Sequence, residues 1–281
     1  MIDISNRRKL AELRASEIEE TINHYIRKSH CKPFYLVQEL LGYELRYPLE
    51  ASILLPRNMK FEEKYKVPAP QLAITVEDTD GLNIIGSVQP KGKSFYGVVL
   101  WGINDPKLNG FVSVISVGYT NSPEEVSLTD YHERCHSARF LFTEVKPWEL
   151  IQRIKEANGE RKLVLAQDLI DDLLGSEISA CYVSCKEDGG YLDIIGRVLL
   201  RKSLPRRIRL IGKLLKTSED ETKKLLDVAS IENQITKSVE TLKELDSEYS
   251  VDVVLQLILP LGLREAAELP VNYPFRKMKK K

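Results

Sequence analysis

Two histidines and a glutamate lie close together in the segment His132-Glu133-Arg134-Cys135-His136. Successive helix positions turn by about 100°, so residues four apart point only about 40° apart, and both imidazoles can reach one metal ion. Glu133 is rotated away from the two histidines and can act as a general base toward water that the metal activates. The sequence therefore predicts a zinc site with His132 and His136 as ligands and Glu133 as the catalytic residue.

The segment around these residues has the pattern of a helix. Ser127, with Asp130 three residues later, is typical of a helix start, and we expect the helix to cover residues 127–145. The two histidines lie at one margin of its apolar stripe, and Arg134 lies at the other margin, where its charged end can extend into water. The stripe consists of Leu128, Tyr131, Cys135, Ala138 and Phe142.

At these residues the sequence resembles the zincin metallopeptidases, which share the His-Glu-x-x-His pattern. The resemblance covers the motif region only. The two residues between Glu133 and His136, which are usually uncharged in family members, are Arg134 and Cys135 here, so the charge of Arg134 departs from the pattern. It implies a zincin-like fold, a zinc cofactor and hydrolysis of peptide bonds. No third histidine follows the motif, so the resemblance points to the gluzincin branch, in which a glutamate is the third ligand.

Two glutamates are candidates for this third ligand. Glu177 lies in a segment that resembles the second helix of several gluzincin families, and the small residues Ala180 and Ser184 on its helix face would let another helix approach closely. Glu156 follows His136 at a spacing that resembles thermolysin-like enzymes, but it lies near a predicted helix end and is expected to be exposed. We therefore prefer Glu177 and keep Glu156 as the alternative.

These residues also have simpler interpretations than a metal site. The histidine pair could be two ordinary side chains at a helix margin. Cys181 and Cys185 are one helical turn apart and could form a second zinc site with His30-Cys31, but the loop spacing of such sites is missing, so small buried side chains are favoured. Cys135 lies on the apolar stripe, and we expect it to pack in the core.

The whole chain shows strand patterns first and helix patterns afterwards, which predicts an α+β fold. An N-terminal antiparallel or mixed sheet would be followed by a helical half that carries the histidine pair. We expect an N-terminal helix in residues 1–32, a zincin-like catalytic domain in 33–203 and a helical C-terminal region in 204–281. Strands are predicted at 45–55, 71–77, 83–88, 95–103 and 111–119. Helices are predicted at 7–28, 34–41, 127–145, 147–157, 160–174, 177–187, 191–201 and 218–247.

The last of these helices carries an apolar stripe that must be buried. Ser218 and Glu221 would form a capping box at its start. Packing within the same domain is the first expectation, and a homodimer or a helical partner that covers residues 218–247 is the alternative.

The overall charge gives no general attraction for nucleic acid or acidic membranes, because Lys+Arg and Asp+Glu are both 41. The cluster Arg206, Arg207 and Arg209 and the Lys-rich tail at 276–281 lack interleaved aromatic residues, so solvated basic segments are favoured over a nucleic-acid contact. No secretory signal and no apolar run of about 20 residues is present. These features, with four irregularly spaced cysteines, predict a cytoplasmic protein without a membrane segment.

Together these patterns predict a zinc-dependent metallopeptidase that acts on a peptide or protein substrate. The resemblance to the zincins implies that the substrate binds as an added strand along residues 111–119 or a neighbouring sheet edge. Tyr182 and Tyr191 are candidates for stabilising the oxyanion. The alternative is a non-enzymatic interaction or assembly protein, with a coincidental or vestigial motif, that could contact nucleic acid through its basic segments.

Overall fold

A computed structural model describes two compact units, formed by residues 1–142 and 143–281. In the strands and in parts of residues 123–148, it describes the backbone only. The predicted helix at 34–41, the predicted strand at 83–88 and the tail at 276–281 lie outside the described residues. These are 52–55, 59–68, 72–75, 98–100, 114–116, 123–143, 145 and 147–270, with the helical positions Asn6, Lys9, Leu10, Glu12, Leu13 and Ser16.

Among the described residues of the N-terminal unit, four short strands form a mixed sheet. Each lies inside a predicted strand, and their order in the sheet is β1-β2-β4-β3. The pairs β1–β2 and β3–β4 run antiparallel, whereas β2 and β4 run parallel. The strands are β1 (Ser52–Leu55), β2 (Leu72–Thr75), β3 (Val98–Leu100) and β4 (Val114–Ser116).

The predicted α+β class, with a zincin-like domain built on an N-terminal sheet, is wrong. Of the residues whose side chains the structure describes, 83% are helical and none lies in a strand. The buried apolar side chains among them belong to helices and to the turns between helices. A strand of three or four residues spans only about 10–13 Å and presents few side chains to either face. The described core is therefore formed by helix packing.

An aromatic cluster joins two helices of the N-terminal unit, α1 (Met59–Tyr65) and α2 (Pro123–Phe142). The ring centroid of Phe61 lies 5.0 Å from that of Tyr65 and 5.6 Å from that of Tyr131, and all three rings are buried. Such edge and tilted ring contacts stabilise the fold beyond what the burial of apolar surface contributes. Helix α2 also packs against β3 and β4, so the helix with the histidine pair is held within its own unit.

The C-terminal unit is a helical assembly around one long central helix. That helix, α4, packs against α3, α6, α9 and α10, and apolar side chains along its length are buried. A π-helical turn (Leu199–Ser203) leads from α5 into α6. The helices are α3 (Pro147–Glu156), α4 (Gly159–Glu187), α5 (Asp193–Val198), α6 (Leu204–Leu215), α7 (Glu219–Leu225), α8 (Val228–Glu248), α9 (Val251–Ile258) and α10 (Leu263–Glu268).

Gly175 lies inside α4, where the sequence pattern predicts a break between helices 160–174 and 177–187. The structure has one continuous helix instead. A Cβ atom at this position would lie 2.4 Å from the carbonyl oxygen of Leu261. The glycine therefore allows another segment of backbone to approach the helix closely and does not end it.

The predicted helix at 218–247 is divided into α7 and α8. Asp227 adopts a left-handed backbone conformation with a φ of 49°, which interrupts the helix. Its carboxylate then accepts a hydrogen bond from the N–H of Ser230 at 3.4 Å and caps α8. The predicted cap at Ser218 is present, since its hydroxyl accepts from the N–H of Glu221 at 3.3 Å.

The apolar stripe of α8 is buried within the chain itself. Helix α8 packs against α10 and α5, so the first expectation is confirmed for the positions on α8. Leu225, an earlier member of the predicted stripe, lies on α7 and is 38% exposed. The buried apolar members on α8 are Ile231, Ile235, Val239, Leu242 and Leu245. Among the described helices, none has both the length and the apolar composition needed to cross a bilayer.

Candidate metal centre

Helix α2 carries the predicted metal ligands and begins earlier than the predicted residue 127, at Pro123. Proline is favoured in the first helical turn because its missing N–H would have no intrahelical acceptor there. The predicted core positions Tyr131, Cys135 and Ala138 are buried. The period of apolar residues therefore predicts the orientation of this helix correctly.

His132 and His136 converge on a common point. Their Nε2 atoms lie 3.2 Å apart, and their rings are inclined by 79°. A Zn–N bond of about 2.05 Å and a tetrahedral angle would put two ligand nitrogens about 3.3 Å apart. The observed separation fits two ligands of one tetrahedral ion. It also fits a hydrogen bond between two neutral imidazoles, in which one ring donates and the other accepts.

Burial differs between the histidines and the arginines of α2. Both histidines are half-buried, whereas Arg134 and Arg139 are each only 2% exposed. The expectation that Arg134 extends into water is therefore wrong. Helical periodicity places a residue on a face but does not show which acceptors from other elements surround it, and a guanidinium with enough acceptors can be buried.

Glu133 follows His132 on α2, and one helical step turns it by about 100° from that histidine. Its backbone is helical, and its side chain lies outside the described part of the structure. The role of Glu133 as general base stays a prediction.

Glu177 belongs to the C-terminal unit and lies in the second half of α4. Its Oε1 atom accepts a hydrogen bond from Nη2 of Arg207 at 2.7 Å, and the two side chains are 15% and 9% exposed. A hydrogen bond between a guanidinium and a carboxylate is among the stronger hydrogen bonds in proteins. The sequence groups Arg207 with a solvated basic segment and gives no local signal for this pair, because the partners are 30 positions apart. The role of Glu177 as a metal ligand stays a prediction.

Glu156, the alternative ligand, is the last residue of α3 and is exposed. Its carboxylate accepts a hydrogen bond from the side chain of Gln152, one turn earlier on the same helix. This position agrees with the exposed helix end that the sequence predicts. Such an arrangement is typical of a surface carboxylate.

The described cysteines are buried free thiols, namely Cys135, Cys181 and Cys185. Burial is the main cause that raises the pKa of the Cys185 thiol, and Asp188 and Asp246 add to the effect. The expectation that these cysteines are buried small side chains is confirmed. His30 and Cys31, the other candidates for a second zinc site, lie outside the described residues.

The two tyrosines proposed for the oxyanion lie in different surroundings. Tyr182 is fully buried, and its hydroxyl donates to Oδ1 of Asp246 at 2.8 Å. Burial and this carboxylate raise the pKa of Tyr182, so the hydroxyl remains protonated. Tyr191, between α4 and α5, is 82% exposed. Tyr182 therefore has a structural role between α4 and α8.

Known proteins provide no template for this site. Comparison of the chain finds no matching family model, no similar curated protein and no similar solved structure. The interpretation of the centre therefore rests on its own residues and their chemistry.

Proposed function

We propose that the protein is a zinc-dependent hydrolase that cleaves peptide bonds, with His132 and His136 as metal ligands. The observation that supports this function is the 3.2 Å separation of their Nε2 atoms, which matches the spacing of two nitrogens around a tetrahedral ion. The helix is anchored by the buried side chains of Tyr131 and Cys135, and packing of this kind limits the motion of ligand side chains. The proposal concerns the chemistry of the site and does not include a zincin fold.

Glu177 is the third ligand in this proposal, and Glu156 is the alternative. Glu177 is the better candidate because Arg207 orients its carboxylate, and metal ligands usually have such an outer hydrogen-bond partner. Glu156 is exposed at a helix end, so ordering it at a metal would cost more side-chain entropy.

In the proposed reaction, Glu133 accepts a proton from the attacking water and donates it to the leaving amine. Zinc, when bound, lowers the pKa of water toward about 7 and polarises the substrate carbonyl. Among the four described strands, β3 is the edge next to β4, and it packs against α2. We therefore assign substrate binding to this edge, where an extended peptide could add as a further strand.

A cytoplasmic location is part of this proposal. It is supported by the free thiols of Cys135, Cys181 and Cys185, since reducing compartments keep thiols unpaired.

The first experiment measures the zinc content of the purified full chain by elemental mass spectrometry. We expect one zinc per chain, with loss of the metal in both His132→Ala and His136→Ala. His24→Ala and His30→Ala are matched controls, because they change the other two histidines of the chain, and they should retain zinc. A folded wild-type protein that takes up no zinc would exclude the hydrolase. It would favour the non-enzymatic alternative, in which the two imidazoles are joined by a hydrogen bond.

A second experiment separates chemistry from coordination with a library of peptide substrates. Glu133→Gln should keep zinc and slow hydrolysis by about 10²–10⁴-fold, which is the usual contribution of a general base. Glu124→Gln, on the same helix, is the control and should retain activity. Glu177→Ala should weaken zinc binding, and Glu156→Ala should not. The reverse result would make Glu156 the third ligand.

A further inference from the structure

Basic residues form a row along one side of α6 and its flanking turns. Lys202 precedes the helix in the π-helical turn, Arg206, Arg209 and Lys213 lie on it, and Lys216 follows as its C-cap. With about 3.6 residues per turn, Arg206, Arg209 and Lys213 fall within an arc of about 60° on α6, and Lys202 and Lys216 flank them about one turn before and after. We call these five residues the basic row.

Four members of the basic row face solvent and are poorly neutralised, whereas Arg206 has an interaction within the folded chain. The side chains of these four are exposed, and that of Arg206 is half-buried. Within the described part of the chain, the side chains of Lys202, Lys213 and Lys216 form no ion pair. Arg209 interacts electrostatically with Glu219, which already accepts from Lys223 at 2.8 Å. The row is therefore a strip of positive charge on a chain whose net charge is zero.

The opposite side of α6 packs in the core of the C-terminal unit. Leu204, Ile208 and Ile211 are buried, and Arg207 is paired with Glu177. Without an exposed apolar face, the helix cannot insert into a membrane interface as an amphipathic helix does. Residues 199–216 also contain no aromatic residue on which a nucleic-acid base could stack. A ligand of the row must therefore be recognised by its charge.

A favourable interaction with the dipole of α6 accounts for only two of the five residues in the basic row. Lys213 and Lys216 lie at the C-terminus of α6, where cations interact favourably with the helix dipole. Lys202 and Arg209 lie outside the last turn, where this effect has faded. Their alignment with the two lysines needs another reason.

We propose that the basic row binds the phosphate backbone of double-stranded nucleic acid without sequence preference. Its ends are about 21 Å apart along the helix axis, and a duplex presents one charge per about 1.7 Å of its own axis. If the partner were an acidic protein, apolar side chains would normally contact it beside the charged ones, and the basic row contains no apolar side chain. The sequence groups Arg207 with Arg206 and Arg209, but in the folded chain Arg207 is paired with Glu177 on the buried side of α6. Lys202, Lys213 and Lys216 lie with Arg206 and Arg209 on the other side. This activity is independent of the proposed metal site.

The experiment measures fluorescence anisotropy of a labelled 30-base-pair DNA duplex of random sequence with the full chain. The wild type should bind at about 50 mM salt, and one phosphate contact from each of the four exposed members predicts a slope of log K against log salt of about −3.6. The combined variant Lys202→Gln, Arg209→Gln, Lys213→Gln and Lys216→Gln should bind at least about tenfold more weakly, with a slope near zero.

The matched control removes the same charges from four other helices. It combines Lys60→Gln, Lys155→Gln, Arg161→Gln and Lys237→Gln, all at exposed positions, and should bind within about threefold of the wild type. Equal loss in both variants would overturn the proposal, and so would a wild type that does not bind the duplex. Stronger binding to phosphatidylserine vesicles than to the duplex would assign the row to a membrane surface instead.

Discussion

Arg207 on α6 donates a hydrogen bond to Glu177 on α4, with Nη2 2.7 Å from Oε1, and both side chains are largely buried. Removal of one partner leaves a charge without its counter-ion in a place of low dielectric constant, which costs about 3 kcal/mol. We expect Arg207→Met to lower the free energy of unfolding of the C-terminal unit by about this amount. Urea denaturation followed by circular dichroism measures it.

Two further variants test the physical reason for that loss. Glu177→Leu, added to Arg207→Met, should recover most of the stability, because two apolar side chains replace two buried charges. Lys223→Met breaks the exposed pair with Glu219 and should have little effect, since solvent screens such pairs. An Arg207→Met protein as stable as the wild type would show that the buried pair contributes nothing.

Gly175→Ala should destabilise the C-terminal unit by about 1–3 kcal/mol through overpacking. The added Cβ would lie 2.4 Å from the carbonyl oxygen of Leu261 and 2.8 Å from the Cα of Gly262. These are backbone atoms, which cannot rotate away as the end of a side chain can. The midpoint of urea unfolding measures the change.

Gly196→Ala is the matched control for that change, because it also lies within a helix. Its Cβ would meet only Cγ2 of Val239, at an ordinary 3.6 Å. Alanine is the better helix former by about 1 kcal/mol, so this variant should be neutral or more stable. Similar destabilisation by both substitutions would mean that the close approach at Gly175 is not the cause.

The side chain of Asp171 should increase the free energy of unfolding, relative to that of Asp171→Asn, as the pH falls. Its carboxylate accepts from the backbone N–H of Arg264 at 2.8 Å. Burial raises the pKa of Asp171 from 3.8 by more than the interactions with Arg264 lower it. A raised pKa contributes stability that is complete below the unfolded value and is lost as the pH rises through the folded value. The stability of the wild type relative to Asp171→Asn should therefore increase on acidification from about pH 7 to 3.5.

Glu219 should have the opposite effect on how stability depends on pH. The hydrogen bond from Lys223 lowers the pKa of Glu219 from 4.5. A lowered pKa contributes stability above the unfolded value that disappears as the pH falls through the folded value. The wild type should therefore lose a small amount of stability relative to Glu219→Gln on acidification, since this pair is exposed. A change of the same sign for both residues would contradict the assignment of their surroundings.

The thiols of Cys135, Cys181 and Cys185 should react slowly in the folded protein. The thiolate is the reactive species, and burial raises the pKa of Cys185. In a Cys31→Ser background at about pH 8, a chromogenic disulfide reagent should label these thiols much more slowly in buffer than in guanidinium chloride. Equal rates in the two solutions would show that the thiols are accessible in the native state.

Local patterns predicted the features of α2 that depend on residues within a few positions of each other. A spacing of four residues brings His132 and His136 together wherever the helix lies in the fold. The same periodicity predicted the burial of Tyr131, Cys135 and Ala138. The cap at Ser218 was also predictable, because its hydroxyl and the N–H of Glu221 are three residues apart.

Helix breaks were harder to predict, because the same residue type can serve opposite roles. A glycine usually indicates a helix end, yet Gly175 lies inside α4 to admit the backbone at Leu261. Asp227 lies inside a continuous helical pattern, yet its left-handed conformation ends one helix and its side chain caps the next. Among the described residues, the predicted strand at 45–55 contributes the four residues of β1 and the predicted strand at 95–103 contributes the three residues of β3. The α+β prediction gave these strand patterns too much weight, because the described core is helical.

By itself, the sequence determined the helical spacing of the histidine pair, the apolar stripes and the candidate carboxylates. Only the tertiary structure decided that Arg134 is buried, that Arg207 pairs with Glu177, and that Arg209 remains exposed. The physical reason is the range of the interactions. A helical period relates residues one turn apart, whereas burial and ion pairing depend on side chains that come from distant parts of the chain.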